Sequence, residues 1–116
     1  MNTHHLLLAA ASLALSTPAF ATPSSCEPQA VKSAAAFPMR SQLRGQEGIV
    51  YLNLKIDENG RVASTQIEQS SGYRLLDHAA QDSALKEWVF DVSGCERKDL
   101  PANRVIAIEY RNDEYR

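Results

Sequence analysis

The chain has 116 residues, 44% of them hydrophobic and 22% charged, with 12 basic against 14 acidic side chains and a net charge of −2. That length holds one domain with a thin core, and the composition excludes both a disordered chain and a membrane-embedded helix bundle. The charge balance lacks the basic excess that phosphate binding requires, so no nucleic-acid partner is expected.

Residues 1–21 read as a cleavable export signal. Residues 6–15 (LLLAAASLAL) form an apolar run of about ten, the length of an h-region and short of the roughly 20 that cross a bilayer. Ser16-Thr17-Pro18 breaks the run, and Ala19-Phe20-Ala21 supplies the small-x-small cleavage site. Cys26 follows Pro23-Ser24-Ser25, which lacks the Leu-like residue of a lipid-anchor site. The chain is therefore expected to enter an oxidising compartment without an anchor.

Residues 22–36 are expected to be a flexible arm, ahead of one domain over residues 37–116. The segment 31–43 is alanine-rich and can hold a short helix, interrupted at Pro38. Phe37 is then extended, and Pro38 opens the helical turn at its first position. The chain has two cysteines, Cys26 and Cys95, which allow a single pairing. In an exported chain the default is a disulfide, which staples the arm to the segment after Trp88. The C-x-x-C spacing of a catalytic redox pair is missing.

Residues 48–57 give the clearest strand. Val50, Leu52, Leu54 and Ile56 alternate with Tyr51, Asn53, Lys55 and Asp57, the pattern of a sheet covered on one face. Asp57-Glu58-Asn59-Gly60 is a hairpin turn, with Asn59-Gly60 tolerant of positive φ. Residues 61–69 return as a second strand. There Ala63, Thr65 and Ile67 share one face and Val62 lies on the other, a mismatch that a bulge near the turn reconciles. Ser70-Ser71-Gly72 is a break with a helix-capping signal. Leu76, Ala80, Ala84 and Trp88 then recur every fourth residue, one helical stripe whose small members admit close approach to a sheet. Asp77 lies near the helix start, and Asp82 and Lys86 make a supporting pair. Residues 89–100 are a connector, and residues 103–111 are the third strand, with Ile106, Ile108 and Tyr110 on one face.

Three strands cannot close a barrel. The expected fold is therefore α+β, an open three-stranded antiparallel sheet with two helices packed on one face. The first strand is central, and the second and third are edges.

Phe37-Pro38, Gly48-Ile49-Val50, Asp57-x-x-Gly60-x-Val62, Ser70-Ser71-Gly72, Leu76-Asp77-x-Ala79-Ala80 and Trp88-x-Phe90 come in this order. The series resembles the carboxyl-terminal domain of the TonB family of energy transducers, over roughly residues 37 to 111. The resemblance implies the same fold. It also implies a periplasmic domain that grips a short extended peptide of an outer-membrane receptor (the TonB box) along the free edge of its last strand. Inner-membrane partners of the family supply energy from the proton gradient. The chain departs from that pattern in carrying a cleavable signal, a short arm, and Phe90-Asp91-Val92 where the family has Phe-x-Pro.

The binding edge expected on this basis comprises Asn103, Arg104, Val105, Ile106, Ala107, Ile108, Glu109, Tyr110 and Arg111. Arg104, Glu109 and Arg111 are expected to blunt it partly against self-pairing, while residues 105–108 stay apolar and able to accept a guest strand. The expected partner is a receptor peptide or another envelope protein, with a homodimer through the same edge, or an accessory structural role, as the alternative. No metal, cofactor or catalysis is expected. Beyond the signal, His78 is the only histidine and falls on the outward helix face. A zinc site needs more ligands, and a serine triad needs an oriented base.

Overall fold

The computed structural model describes residues 26–113; the export signal expected over residues 1–21 and the start of the arm lie outside the described residues. Strand β1 spans Gln29–Lys32, helix α1 Met39–Leu43, strand β2 Gly48–Ile56 and strand β3 Val62–Gln69. Helix α2 spans Arg74–Glu87, strand β4 Val89–Asp91 and strand β5 Ala102–Tyr110, with a 3-10 turn over Arg97–Asp99. The main sheet is antiparallel in the order β3-β2-β5, and β1 and β4 form a separate antiparallel pair. The three-stranded sheet and two helices are the architecture that the pattern predicts.

Alternation on β2 sets the layers. Val50, Leu52, Leu54 and Ile56 are fully buried under α2, which presents Leu76, Ala80 and Ala84 to them. Alanines at the contact let the helix axis come close to the sheet, and the area removed from water stabilises the pair. Trp88 and Phe90 complete this core at the end of α2. The opposite face of the sheet is open, and there Ile49 and Val105 are exposed.

The hairpin between β2 and β3 carries the expected bulge. The register slips between Lys55 and Ile56, so that Ile56 opposes Val62 and Lys55 opposes Ser64. That slip turns Val62 into the core, at 5% exposure, and Ala63 outward. Gly60 is the residue of the turn with positive φ, at 76°, and Asn59 is not. The Asp57 carboxylate accepts from the Asn59 and Arg61 amides, and the Gly60 amide donates to the Asp57 carbonyl. A side chain at Gly60 would run into the Phe90 carbonyl, so both its φ and the close approach of β4 demand glycine.

Ser70-Ser71-Gly72 is not the cap of α2. The N-cap is Tyr73, with no side-chain cap bond. Instead Asp77, one turn inside the helix and 6% exposed, reaches back to the loop. Its carboxylate accepts from both serine hydroxyls and from the Ser71 amide at 2.9 Å. Burial alone would push the Asp77 carboxyl up, but the hydrogen bonds from Ser70 and Ser71, with a smaller contribution from His78, hold it below its ordinary value of 3.8. Gly48 packs beneath this loop, where a Cβ would lie 2.5 Å from the Ser71 carbonyl. The folded-state pKa is below the unfolded one, so this stabilisation is complete above pH 3.8 and is lost as pH falls through the folded value. Asp77→Asn is expected to cost about 1–3 kcal/mol at neutral pH and to flatten the acid limb of the stability curve, measured by urea unfolding from pH 2 to 7. An unchanged acid limb would assign it to other carboxylates.

The arm expected over residues 22–36 is not free where it is described. Residues 29–32 are a strand, and residues 33–37 run as a strap along the helix-covered face. The alanines at 34–36 form no helix, and their main chain is claimed from outside. Trp88 Nε1 donates to the Ala34 carbonyl at 2.8 Å, the Ala36 amide donates to Ser83 Oγ at 2.9 Å, and the Tyr110 hydroxyl donates to the Ala36 carbonyl at 3.1 Å. Phe37 then stacks edge-on against Tyr110, with centroids 5.1 Å apart. Pro38 is the N-cap of α1 rather than its first residue. In α1 itself the serine is buried and the apolar pair is not: Ser41 is 0% exposed, Met39 64% and Leu43 75%.

The candidate peptide-binding edge

Strand β5 pairs with β2 over its whole length, from Gly48 opposite Tyr110 to Ile56 opposite Ala102. Among the described residues no strand pairs with its outer side, so β5 is an open edge. Of the nine residues expected there, Asn103 to Tyr110 lie in β5 and Arg111 lies just past its end. Their side chains alternate as the sequence predicts. Arg104, Ile106 and Ile108 are half-buried and Tyr110 is buried on the helical side, while Asn103, Val105, Ala107 and Glu109 are exposed on the open face.

The leading segment, from Pro28 to the strap, flanks this edge on the helical side. At one end Arg104 donates to the Pro28 carbonyl, and at the other Tyr110 holds Ala36. Ala35 and Phe37 pack against the same core as Ile106 and Ile108. Burial and the nearby Asp77 charge push the Tyr110 hydroxyl up to about 12, so it stays a donor across the physiological range.

The charges that were expected to guard the edge do so weakly. Arg104 is spent on the Pro28 carbonyl, ahead of β1. Glu109 and Arg111 pair with each other at 2.5 Å and offset one another's charge. Between them Val105 is 56% exposed, next to Ala107. A guest backbone therefore meets apolar, β-branched neighbours and no unpaired charge in the middle of the strand, which is what strand addition requires.

Cys26 and Cys95 are bonded, across a sequence separation of 69. They fasten the segment ahead of β1 to the connector between β4 and β5. Three parts of this region are silent in the sequence. β1 has four residues with every side chain exposed, so no periodicity marks it. β4 has three residues, inside what reads as a connector. The strap is held through carbonyls that no side-chain pattern announces; the only hints are the apolar Phe37 and Trp88. His78 is exposed on α2 as expected. No group of three or more His, Cys, Asp or Glu that could hold a metal occurs among the described residues, and none of their helices is long and apolar enough to cross a membrane.

Comparison with known proteins places this geometry. The family model for the Gram-negative bacterial TonB protein C-terminal matches residues 33–111. The Protein TonB sequences of two Xanthomonas campestris pv. campestris strains are 40% identical over 57 residues, or 49% of this chain. The match spans only 25% of those relatives' own length. The TonB C-terminal domain of Pseudomonas aeruginosa superposes with a TM-score of 0.55 at 18% identity, covering 74% of this chain and 87% of that one. That of Helicobacter pylori gives 0.51 at 23% identity, covering 68% and 82%. These two show the shared fold. With the family match extending over most of its length, the chain belongs to the TonB C-terminal family.

Proposed function

We propose that this chain is an exported, periplasmic peptide-binding module of TonB-type transport. It recognises an extended segment of an outer-membrane receptor, or of another envelope protein, by adding that segment to β5. The observation that carries this reading is the unpaired outer side of a nine-residue strand with an apolar, partly exposed centre. Main-chain hydrogen bonds along the strand give the affinity, and exposed Val105 and Ala107 give the guest an apolar surface on the open face. A short guest buries little area, so the complex is transient. The module acts by binding and carries out no chemistry of its own.

The test is a titration of isotope-labelled protein with amino-terminal peptides of outer-membrane receptors. Amide shifts are expected from Asn103 to Arg111, with smaller ones on β2. Shifts confined to another surface, or none at millimolar peptide, would remove the reading. Sedimentation addresses the self-association alternative: pairing of β5 with a second copy predicts a dimer that the peptide dissociates.

A further inference from the structure

Helix α1 is turned the wrong way for a surface helix. Its small polar residue faces in and its long apolar residues face out: Ser41 is 0% exposed, Met39 64% and Leu43 75%. Globular proteins place these residue types the other way round. Hydrogen bonds hold the inversion in place. The Gln42 amide donates to the Pro38 carbonyl at 3.0 Å, Gln42 Nε2 to the Phe37 carbonyl at 2.9 Å, and the Gln46 amide to the Ser41 carbonyl at 2.9 Å. The arrangement costs stability, because Ser41 Oγ is buried with no hydrogen-bond partner among the described residues. Natural proteins break such rules mainly at functional sites.

The rest of that surface is cationic. Met39 and Leu43 are four residues apart and share one side of the helix. Arg40 and Arg44, also four apart, lie beside them and are exposed. Among the described residues the ion pairs join Lys86, Arg97, Lys98 and Arg111 to acidic neighbours, and neither Arg40 nor Arg44 takes part in one. Pro38, at the start of α1, lines one groove with Leu75 and Ala79 of α2, which extends the apolar surface sideways. The chain as a whole carries a net charge of −2, so attraction to an anion has to come from a local patch of this kind.

We propose that the outer face of α1 docks on the headgroup region of an anionic phospholipid bilayer. Met39 and Leu43 enter between the lipids, and Arg40 and Arg44 stay at the phosphates. Charge complementarity calls for an anionic partner. Shape favours a bilayer over a protein, because the two apolar side chains are exposed enough to form a knob. A protein would have to meet that knob with a matched pocket, whereas a bilayer yields to it. Two cations and two apolar side chains give a weak, reversible attachment. The face adjoins the Tyr110 end of β5, through Phe37 on Tyr110 and Asn112 on Gln46, so a docked domain carries that end of the strand close to the membrane. The surface is separate from the outer side of β5 and stands or falls without the β5 reading.

The test uses protein purified from the periplasm of an expressing bacterium, with removal of residues 1–21 checked by mass, because their apolar run would bind lipid on its own. Vesicles of phosphatidylcholine with one quarter phosphatidylglycerol are compared with phosphatidylcholine alone by co-sedimentation. Binding is expected on the anionic vesicles and is expected to fade with added salt. Arg40→Gln/Arg44→Gln should weaken it by about tenfold, and Met39→Ser/Leu43→Ser by about the same factor. All four positions are exposed, so both variants should fold, which circular dichroism melts check. A lipid with a nitroxide on its headgroup reads the unaltered protein: amide resonances of residues 39–44 are expected to broaden first. No binding to the anionic vesicles, equal binding to both kinds, unchanged binding in either variant, or broadening centred elsewhere would overturn the proposal. Shifts of the same amides by a soluble polyglutamate peptide, without vesicle binding, would assign the surface to an acidic protein instead.

Discussion

Trp88→Ala is expected to cost about 3–5 kcal/mol, the range for removing a large aromatic side chain from a core. Trp88 is 0% exposed and lies where α2, β4 and the strap meet. A domain of this size has ~5–15 kcal/mol in total, so the variant is near the edge of folding. Its thermal midpoint should fall by on the order of 20 °C. Trp88→Phe separates volume from polarity. It retains much of the packing but leaves the Ala34 carbonyl without its indole donor, for a loss of about 1–3 kcal/mol. Circular dichroism melts of the three proteins decide the matter. If the phenylalanine variant loses as much as the alanine one, the strap contact outweighs the cavity. If the alanine variant loses less than about 1 kcal/mol, Trp88 is not central to the core.

The second large effect belongs to the disulfide. Cys26 and Cys95 are 69 residues apart in sequence, and their bond closes most of the described chain into one loop. The loop-entropy relation gives about 4 kcal/mol for a closure of that length. The stabilisation acts on the unfolded chain, by denying it open conformations. The Cys26→Ser/Cys95→Ser variant and the reduced protein are expected to lose the same amount, read as the shift in guanidinium midpoint with little change in the native spectrum. A loss under about 1 kcal/mol would mean that the unfolded chain is compact enough for the closure to be nearly free. The remaining stability still rests on the buried faces of β2 and α2, which the bond does not touch.

The fold was legible wherever one face of an element is buried against another. Val50 to Ile56 show this for β2, and Leu76 to Ala84 for α2. Even the misfit of Val62 was informative, because a bulge is the cheapest way to bring a β-branched residue back to the core. Legibility failed where structure depends on groups the sequence does not print. Ser70-Ser71 resemble a cap, yet their partner is Asp77 reaching back from inside the helix. Residues 34–36 have helical composition, yet they form no helix, and Trp88, Ser83 and Tyr110 take hold of their backbone. At the edge, the alternation of Ile106, Ile108 and Tyr110 was readable. The diversion of Arg104 to Pro28 was not, because it joins residues 76 positions apart.

The way Arg104, Trp88 and Tyr110 grasp the leading segment, at Pro28, Ala34 and Ala36, has a consequence for how the molecule varies. A grip on carbonyl oxygens is indifferent to which side chains those residues carry. Mutational drift is thus free to rewrite much of the leading segment while its mechanical job stays the same. The constraint is displaced onto three distant anchor positions, and it is there that selection on the leash would leave its mark.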